Sequence, residues 1–213
     1  MNAIVVAKGE KSRRLNQDKA LVKIAGRTLV EILLEKIAGI FDKVYLVTRC
    51  PAKFKFLERR NEIATLDCAR NDKPKKLELV KDNLKCGPLG GIFLGLQASD
   101  SFYNFVISAD LLFLDRMLIF YLMEQKRTYQ ALIPGDQEFL QPLCGIYAKS
   151  VRPVLERRIA EKKYKLREIF PEIKTEYVSG KELERFGDPK VLFFNLNTVK
   201  DLQEARRLWK KYC

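Results

Sequence analysis

The sequence contains no histidine among its 213 residues. Imidazole is a common general base in hydrolases and a common nitrogen ligand of zinc. Its absence excludes Ser-His-Asp hydrolysis and His-ligated metal centres. Any catalytic metal must therefore be held by oxygen ligands, a donor set that suits Mg²⁺.

Paired cysteines and long apolar runs are missing as well. The five cysteines are scattered, odd in number and never spaced as C-x-x-C, a usage typical of a reduced chain. The N-terminal apolar run, residues 3–7, is too short for the core of a signal peptide, and the run at 117–123 is far too short for a membrane span. We therefore expect a soluble cytoplasmic protein that has no membrane partner.

The two most familiar glycine-rich nucleotide motifs do not occur. Neither G-x-x-x-x-G-K-[ST] nor G-x-G-x-x-G is present, and "GEKS" at 9–12 matches only part of the first. What the chain does have is positive charge, with 40 Lys and Arg against 27 Asp and Glu and a net charge of +13. That excess fits a nucleic-acid binder, a surface attracted to anionic membrane, an enzyme of phosphorylated substrates, or the general surface of a heat-adapted protein.

Strand and helix patterns alternate along the chain. Strand patterns occupy residues 3–7, 43–48, 77–80, 105–110, 130–134, 140–148, 175–178 and 191–196, and helical patterns occupy residues 28–41, 88–98, 115–126, 151–163 and 200–212. This alternation predicts a mostly parallel α/β sheet with helices on both faces, in one domain spanning residues 1–213. Ligands of such sheets bind beyond the carboxyl ends of the strands, so the residues after each strand are the candidates for a site.

The loop after the first strand is the first candidate. It contains Lys8, Gly9, Arg14 and Lys19, and a glycine allows the backbone to approach a phosphate that lysine or arginine neutralises. A solvated basic turn explains the loop equally well.

A second candidate follows the predicted strand at 77–80. Asp82 ends that strand, and Gly87 and Pro88 open a helix whose free N–H groups suit an anion. The alternative is that the glycines only permit close packing of this helix on the sheet.

The remaining candidates are a carboxylate and two amides. Asp110 directly follows an apolar strand, where it would be a natural Mg²⁺ ligand beside a triphosphate or simply a helix-capping residue. Asn195 and Asn197 alternate on the predicted strand 191–196, so we expect both on one face, as part of a metal or phosphate site or as turn residues.

Five ordered segments make the chain resemble a known family. They are "AKGEKSRRLNQDKALVKIAGRTLVE" (7–31), "CGPLGGI" (86–92), "VISADLLFL" (106–114), "QPLCGIY" (141–147) and "FFNLNTVKDL" (193–202). The first resembles the signature L-A-G-G-x-S-x-R-M-G-x-D-K of nucleotidyltransferases with the molybdenum cofactor guanylyltransferase fold. The others are similar to that family's G-P-L-x-G-I, its strand followed by Asp-x-P, its H-P-L-x-x-x-Y and its F-x-N-x-N-T.

The resemblance implies a three-layer α/β/α fold with a mostly parallel, Rossmann-like nucleotidyltransferase sheet. It implies Mg²⁺-dependent transfer of GMP from GTP to molybdopterin or molybdenum cofactor, with release of pyrophosphate, and it leaves cofactor-insertion proteins or molybdoenzymes open as partners. By matching position, the nucleotide would contact the backbone of Ala7, Lys8 and Gly9, while Arg14 and Lys19 would bind its phosphates. Asp82 and the turn at Gly87, Pro88 and Leu89 would lie by the nucleoside. Asp110 would hold Mg²⁺, with Asn195 and Asn197 near the metal or the acceptor phosphate.

Departures from the family pattern stand at Lys8, Glu10, Asn16, Leu112 and Gln141, and two alternative functions remain open. Glu10 stands at the family's second glycine, so it should point away from the triphosphate or pair with Lys11 or Arg13. A related enzyme using CTP or a sugar-phosphate acceptor remains open, as does a non-catalytic nucleotide- or RNA-binding protein. We do not expect nucleic acid as a partner, because no RNA-binding motif with interleaved aromatic and basic residues is present.

Overall fold

Strands and helices alternate in the computed structural model, which describes residues 1–10, 15–58, 76–135 and 139–212. The strands are β1 (Asn2–Val6), β2 (Lys23–Ile24), β3 (Arg27–Thr28), β4 (Lys43–Thr48), β5 (Lys76–Lys81), β6 (Tyr103–Ser108), β7 (Ala131–Pro134), β8 (Cys144–Ala148) and β9 (Thr175–Val178). The α-helices are α1 (Leu29–Ile37), α2 (Gly87–Ala98), α3 (Arg116–Glu124), α4 (Arg152–Ala160), α5 (Gly180–Leu183), α6 (Pro189–Leu192) and α7 (Val199–Tyr212). Short 3₁₀ helices lie at Lys19–Leu21, Pro51–Phe54, Lys149–Val151, Leu166–Glu172 and Glu184–Phe186.

The central sheet has the strand order β5-β4-β1-β6-β8-β7-β9. Six of these strands share one direction, and β8 runs antiparallel to its neighbours β6 and β7. Val6 pairs with both Val47 and Ser108, so β1, β4 and β6 end at nearly the same level. The loops after β1, β4, β5 and β6 therefore open at one edge, together with the start of β8.

Alternating side chains of the buried strands support a helical layer on each face. On one face, Ala3 and Val5 belong to the same apolar cluster as Leu33 of α1 and Leu118 of α3. On the other face, Ile4 packs in a cluster with the buried residues of α2 and α4, namely Leu89, Ile92, Leu96 and Leu155. The predicted α/β fold, with a mostly parallel sheet between two helical layers, is confirmed.

Helix α1 fixes the segment that precedes it. The Thr28 hydroxyl accepts a hydrogen bond from Glu31 N at 3.3 Å, and the Glu31 carboxylate accepts one from Thr28 N at 2.7 Å, so Thr28 caps the helix as predicted. Leu29 N also donates to Val22 O at 2.9 Å. These bonds tie the chain that follows Lys19 to the helical layer.

The prediction of a strand at 191–196 is wrong. Pro189 lacks an amide hydrogen and has a φ suited to a first helical turn, and the Asp188 side chain accepts from Lys190 N at 2.8 Å. These two residues start α6, which takes up Val191 and Leu192, and residues 193–198 form a connection to α7. Asn195 and Asn197 therefore do not alternate on a strand.

The close contact of α2 with β1 gives a stability prediction. A Cβ added at Gly95 would lie 2.3 Å from the Cγ2 of Ile4, which is fully buried. Because the neighbouring core must shift, we expect Gly95→Ala to lower the free energy of unfolding by about 1–3 kcal/mol in urea denaturation. Gly180→Ala is the matched control, since an added Cβ there meets no heavy atom within 4 Å, and it should stay within about 0.5 kcal/mol of the parent. Equal stability of the two variants would contradict the prediction.

Candidate active site

A cavity of about 600 Å³ opens at the edge where β1, β4, β5 and β6 end. Its lining includes one or more residues from the loop after each of these strands: Ala7, Lys8 and Glu10 after β1, Arg49 after β4, Asp82 after β5, and Ala109 and Asp110 after β6. Lys19, Gly87, Pro88 and Asn197 contribute further lining. The position is the one that the sheet topology predicts for a ligand.

Lys19, Asp110 and Asn197 meet in this cavity. The Lys19 ammonium lies 3.6 Å from Asp110 Oδ2, and it donates a hydrogen bond to Asn197 Oδ1. The Lys19 and Asp110 side chains are 30% and 16% exposed, so both charges face the cavity while most of their surface is covered. A cation, a carboxylate and an amide oxygen thus converge from parts of the chain up to 178 residues apart.

Local structure holds these side chains in place. The Asp18 carboxylate accepts from Ala20 N at 3.2 Å and starts the 3₁₀ turn that carries Lys19. Ala109 N donates to Val6 O at 3.0 Å, which fixes the backbone beside Asp110 against β1. The Ser108 hydroxyl donates to Asp110 Oδ1, so one carboxylate oxygen is oriented by its own strand.

A second cavity of about 340 Å³ adjoins the first. Lys19, Pro88, Ser108, Asp110 and Leu143 line both cavities. The smaller one adds Asn195 and the segment before β8, Gln141 and Pro142. The Lys19–Asp110 pair therefore lies at the junction of the two cavities.

The structure places some of the candidate residues of the first loop in the lining of the large cavity. Ala7 and Lys8 line the large cavity, but Gly9 turns away from it. Gly9 has φ +70°, and an added Cβ would lie 2.2 Å from Thr48 Oγ1, so this glycine permits close contact with the end of β4. Arg14 lies outside the described residues.

The predicted nucleoside contacts divide between the cavity and the core. Asp82 N donates to Thr48 O at 2.8 Å, and Asp82 Oδ1 accepts from Leu84 N at 3.1 Å, which sets the turn into α2. Asp82, Gly87 and Pro88 line the large cavity. Leu89 does not, because it is fully buried between α2 and the sheet.

Sequence reasoning did not single out Arg49, Lys53 or Asp18. Arg49 Nη1 donates to Glu10 Oε2 at 2.7 Å, so Arg49 is a partner of Glu10. The expected partners Lys11 and Arg13 lie outside the described residues. Lys53 Nζ donates to Gly9 O at 3.0 Å and lies 3.9 Å from Asp18 Oδ2. Arg49 directly follows a strand, so the rule that selected Asp110 would also have found it.

The surroundings of Glu10 and Asp18 shift the pKa values of their carboxyl groups in opposite directions. The hydrogen bond from Arg49 is the main cause that lowers the pKa of the Glu10 carboxyl below its ordinary value. Burial raises the pKa of the Asp18 carboxyl, and the Asp18 Oδ2 atom has no hydrogen-bond partner in the described parts of the chain. Both acids line the large cavity, where Asp18 is buried and Glu10 is paired with Arg49.

The oxygen donors of the site suit a magnesium ion that also binds water and substrate phosphates, and they do not suit an ion enclosed by protein side chains alone. Within the described ranges, carboxylates and thiols form no group of three that could enclose an ion. Asp110 nevertheless offers a carboxylate, and Asn195 and Asn197 place amides around the same junction. Mg²⁺ commonly takes one or two carboxylates, keeps several waters and binds substrate phosphates, which this set allows.

Fold and site together define an α/β protein with a two-part cavity at the carboxyl edge of its parallel strands. Residues 3–176 match the family model described as the MobA-like NTP transferase domain. The chain therefore belongs to that family and is a nucleotidyltransferase, as the sequence motifs predicted. No helix in the described residues has the length and apolar character needed to cross a membrane.

Proteins similar to the chain bear consistent names. A probable molybdenum cofactor guanylyltransferase of Pelotomaculum thermopropionicum is 30% identical over 203 residues, covering 95% of this chain and 90% of that protein. One from Natranaerobius thermophilus is 26% identical over 209 residues, covering 97% and 95%. The crystal structure of molybdopterin-guanine dinucleotide biosynthesis protein A from Archaeoglobus fulgidus is 26% identical, with a TM-score of 0.79 and coverage of 99% and 100%. The predicted family is confirmed.

Proposed function

We propose that the protein transfers GMP from GTP to molybdopterin or molybdenum cofactor and releases pyrophosphate. The observation that carries the proposal is the meeting of Lys19, Asp110 and Asn197 where the two cavities join. The names of the similar proteins support guanine in the donor and a molybdopterin-type acceptor. The reaction needs two substrates brought together, and the adjoining cavities provide space for both.

In the proposed reaction, the donor lies in the larger cavity and the acceptor in the smaller one. An acceptor phosphate is already an anion at neutral pH, so the attack on the α-phosphate requires no histidine base. The obstacle is repulsion between two anions, which the Lys19 ammonium reduces while holding the reacting groups at the junction. Asn197 orients that ammonium by accepting its hydrogen bond.

Asp110 would hold Mg²⁺, with Asn195 and Asn197 near the ion or the acceptor phosphate. The bound ion would neutralise charge on the phosphates and polarise the α-phosphoryl group. Backbone groups of Ala7 and Lys8 would contact the donor, and Arg14 would bind phosphate. Asp82, Gly87 and Pro88 would lie at the nucleoside.

We further propose that residues 1–213 act as one domain, because Lys19 from the first loop is bonded to Asn197 near the last helix. The cytoplasm is the proposed location, which the free thiols of Cys50, Cys86 and Cys144 support. Cofactor-insertion proteins and molybdoenzymes remain proposed partners.

A donor panel tests the proposal. With Mg²⁺ and molybdopterin or molybdenum cofactor, we expect GTP to give the guanine dinucleotide and one pyrophosphate per turnover, with kcat/KM at least about 100-fold above CTP, ATP and UTP. Equal or faster turnover with CTP, or turnover only with a sugar phosphate, would contradict the proposed substrates but would leave the protein a nucleotidyltransferase. RNA binding that weakens steeply with salt, without turnover of any nucleotide, would favour the non-catalytic alternative.

A further inference from the structure

The loops after three neighbouring strands, β1, β4 and β5, bring an arginine between two carboxylates. Glu10 follows β1, Arg49 follows β4 and Asp82 follows β5. Arg49 Nη1 bonds Glu10 at 2.7 Å, and Arg49 Nε lies 3.7 Å from Asp82 Oδ2. Arg49 therefore joins two carboxylates that line the large cavity.

Glu10, Arg49 and Asp82 line the same cavity as the Lys19–Asp110 pair but do not contact that pair directly. Neighbouring strands are spaced about 4.8 Å apart, so the end of β4 is about 10 Å from the end of β6, where Asp110 stands. That separation is within reach of a single nucleotide whose phosphates lie at Lys19. Glu10 is therefore close enough to a bound polyphosphate for its charge to matter.

An unpaired Glu10 would oppose binding of that polyphosphate. It lies two residues from Lys8 on the same loop, and its carboxylate is 41% exposed. Like charges at close range in a cavity disfavour binding, and a free carboxylate would also compete with phosphate for Lys8. Arg49 removes both effects by holding the carboxylate.

The end of β4 also holds the backbone of this loop. Gly9 packs against Thr48 and the Cys50 amide, where an added Cβ would lie 3.0 Å from Cys50 N. Lys53 Nζ donates to Gly9 O at 3.0 Å. The Glu10 side chain thus follows a held backbone position, and in the described residues Arg49 is the side chain that holds its carboxylate.

We infer that Arg49 is a positioning residue for the donor site: it holds the Glu10 carboxylate away from the phosphates of a nucleoside triphosphate and neutralises its charge. The inference rests on the proposed use of such a donor. Arg49 acts through Glu10, so its loss should be harmful only while Glu10 carries its charge. A glutamate carboxyl is ionised at neutral pH, and the hydrogen bond from Arg49 lowers the pKa of Glu10 further.

A double-mutant cycle on the full chain tests this coupling. We expect Arg49→Met to weaken binding of Mg²⁺–GTP about tenfold by calorimetry and to raise KM more than it lowers kcat. Arg49→Met combined with Glu10→Gln should bind within about threefold of Glu10→Gln alone. The defect of Arg49→Met should shrink as salt rises, because it is electrostatic.

Arg27→Met is the matched control. Arg27 also pairs with a glutamate, Glu35, but on the surface and outside both cavities, so binding should not change. Unfolding midpoints of all variants are measured in parallel. Equal loss in Arg49→Met and the double variant would mean that Arg49 contacts the nucleotide directly or is needed for the fold, and would overturn the inference.

Running the cycle with CTP as well as GTP separates the two proposals. Coupling between positions 10 and 49 seen with CTP but no binding of GTP would overturn the guanine donor and leave the inference intact. Turnover with GTP but no coupling would overturn the inference alone. Failure of the parent protein to bind any of the triphosphates would overturn both.

Discussion

Asp110→Asn is expected to lower kcat for nucleotidyl transfer about 1,000-fold, because it removes the carboxylate proposed to anchor the magnesium ion. Asparagine keeps a similar shape and an oxygen that can accept from the Ser108 hydroxyl, so the end of β6 should stay folded. The variant should also need far more Mg²⁺ for half-maximal activity. Steady-state rates across a magnesium titration measure both effects.

Asp115→Asn provides the control for this substitution. Asp115 is five residues further along and caps α3 by accepting from Met117 N at 2.7 Å. Asparagine caps helices about as well as aspartate, so activity and stability should both be preserved. If Asp110→Asn stayed within about tenfold of the parent, the metal would have to be anchored elsewhere.

Lys19→Met is expected to lower kcat about 100- to 1,000-fold and to raise KM for GTP. The Lys19 ammonium contacts both Asp110 and Asn197 at the junction of the cavities. Methionine retains much of the side-chain length but removes the charge that reduces repulsion between the donor and acceptor phosphates. Rapid-quench measurement of a single turnover separates this effect on chemistry from product release.

Lys23→Met is the control for Lys19→Met. Lys23 is exposed on β2, four residues along the chain, and lines neither cavity. The Lys23→Met substitution removes the same charge from the same region. Unchanged kinetics in this variant would show that the effect of Lys19→Met comes from the position of the charge and not from net charge. Equal losses in both variants would contradict a specific role for Lys19.

The fold followed from the sequence wherever burial and capping agreed with local pattern. The apolar runs of β1, β4 and β6 are buried on both faces, so they have no competing structure to adopt. The segment 191–196 looked like a strand by the same criterion. There, the Asp188 cap and Pro189 started a helical turn, and local capping outweighed the apolar pattern.

The site was partly predictable because strand order brings distant loops to one edge. The rule that ligands bind beyond the strand ends pointed to Lys19 and Asp110, and the resemblance placed Asn197 with them. The contacts of Lys19 with both partners depend on a sheet order that local pattern does not contain. Arg49 directly follows the predicted strand 43–48 and was still overlooked, because its partner Glu10, 39 residues earlier, is brought to it only by the pairing of β1 with β4. Leu89 lies in the core, because the register of α2 turns its side chain inward while Pro88 lines the cavity.

The reversed strand β8 has a consequence for how specificity can change. Because β8 begins at the catalytic edge, the segment that precedes it, with Gln141 and Pro142, forms part of the wall of the smaller cavity. Among the described residues of the loops after β1, β4 and β5, only Lys19 also lines the smaller cavity. Substitutions at Gln141 or Pro142 would therefore reshape the proposed acceptor cavity alone and leave the lining of the proposed donor cavity as it is.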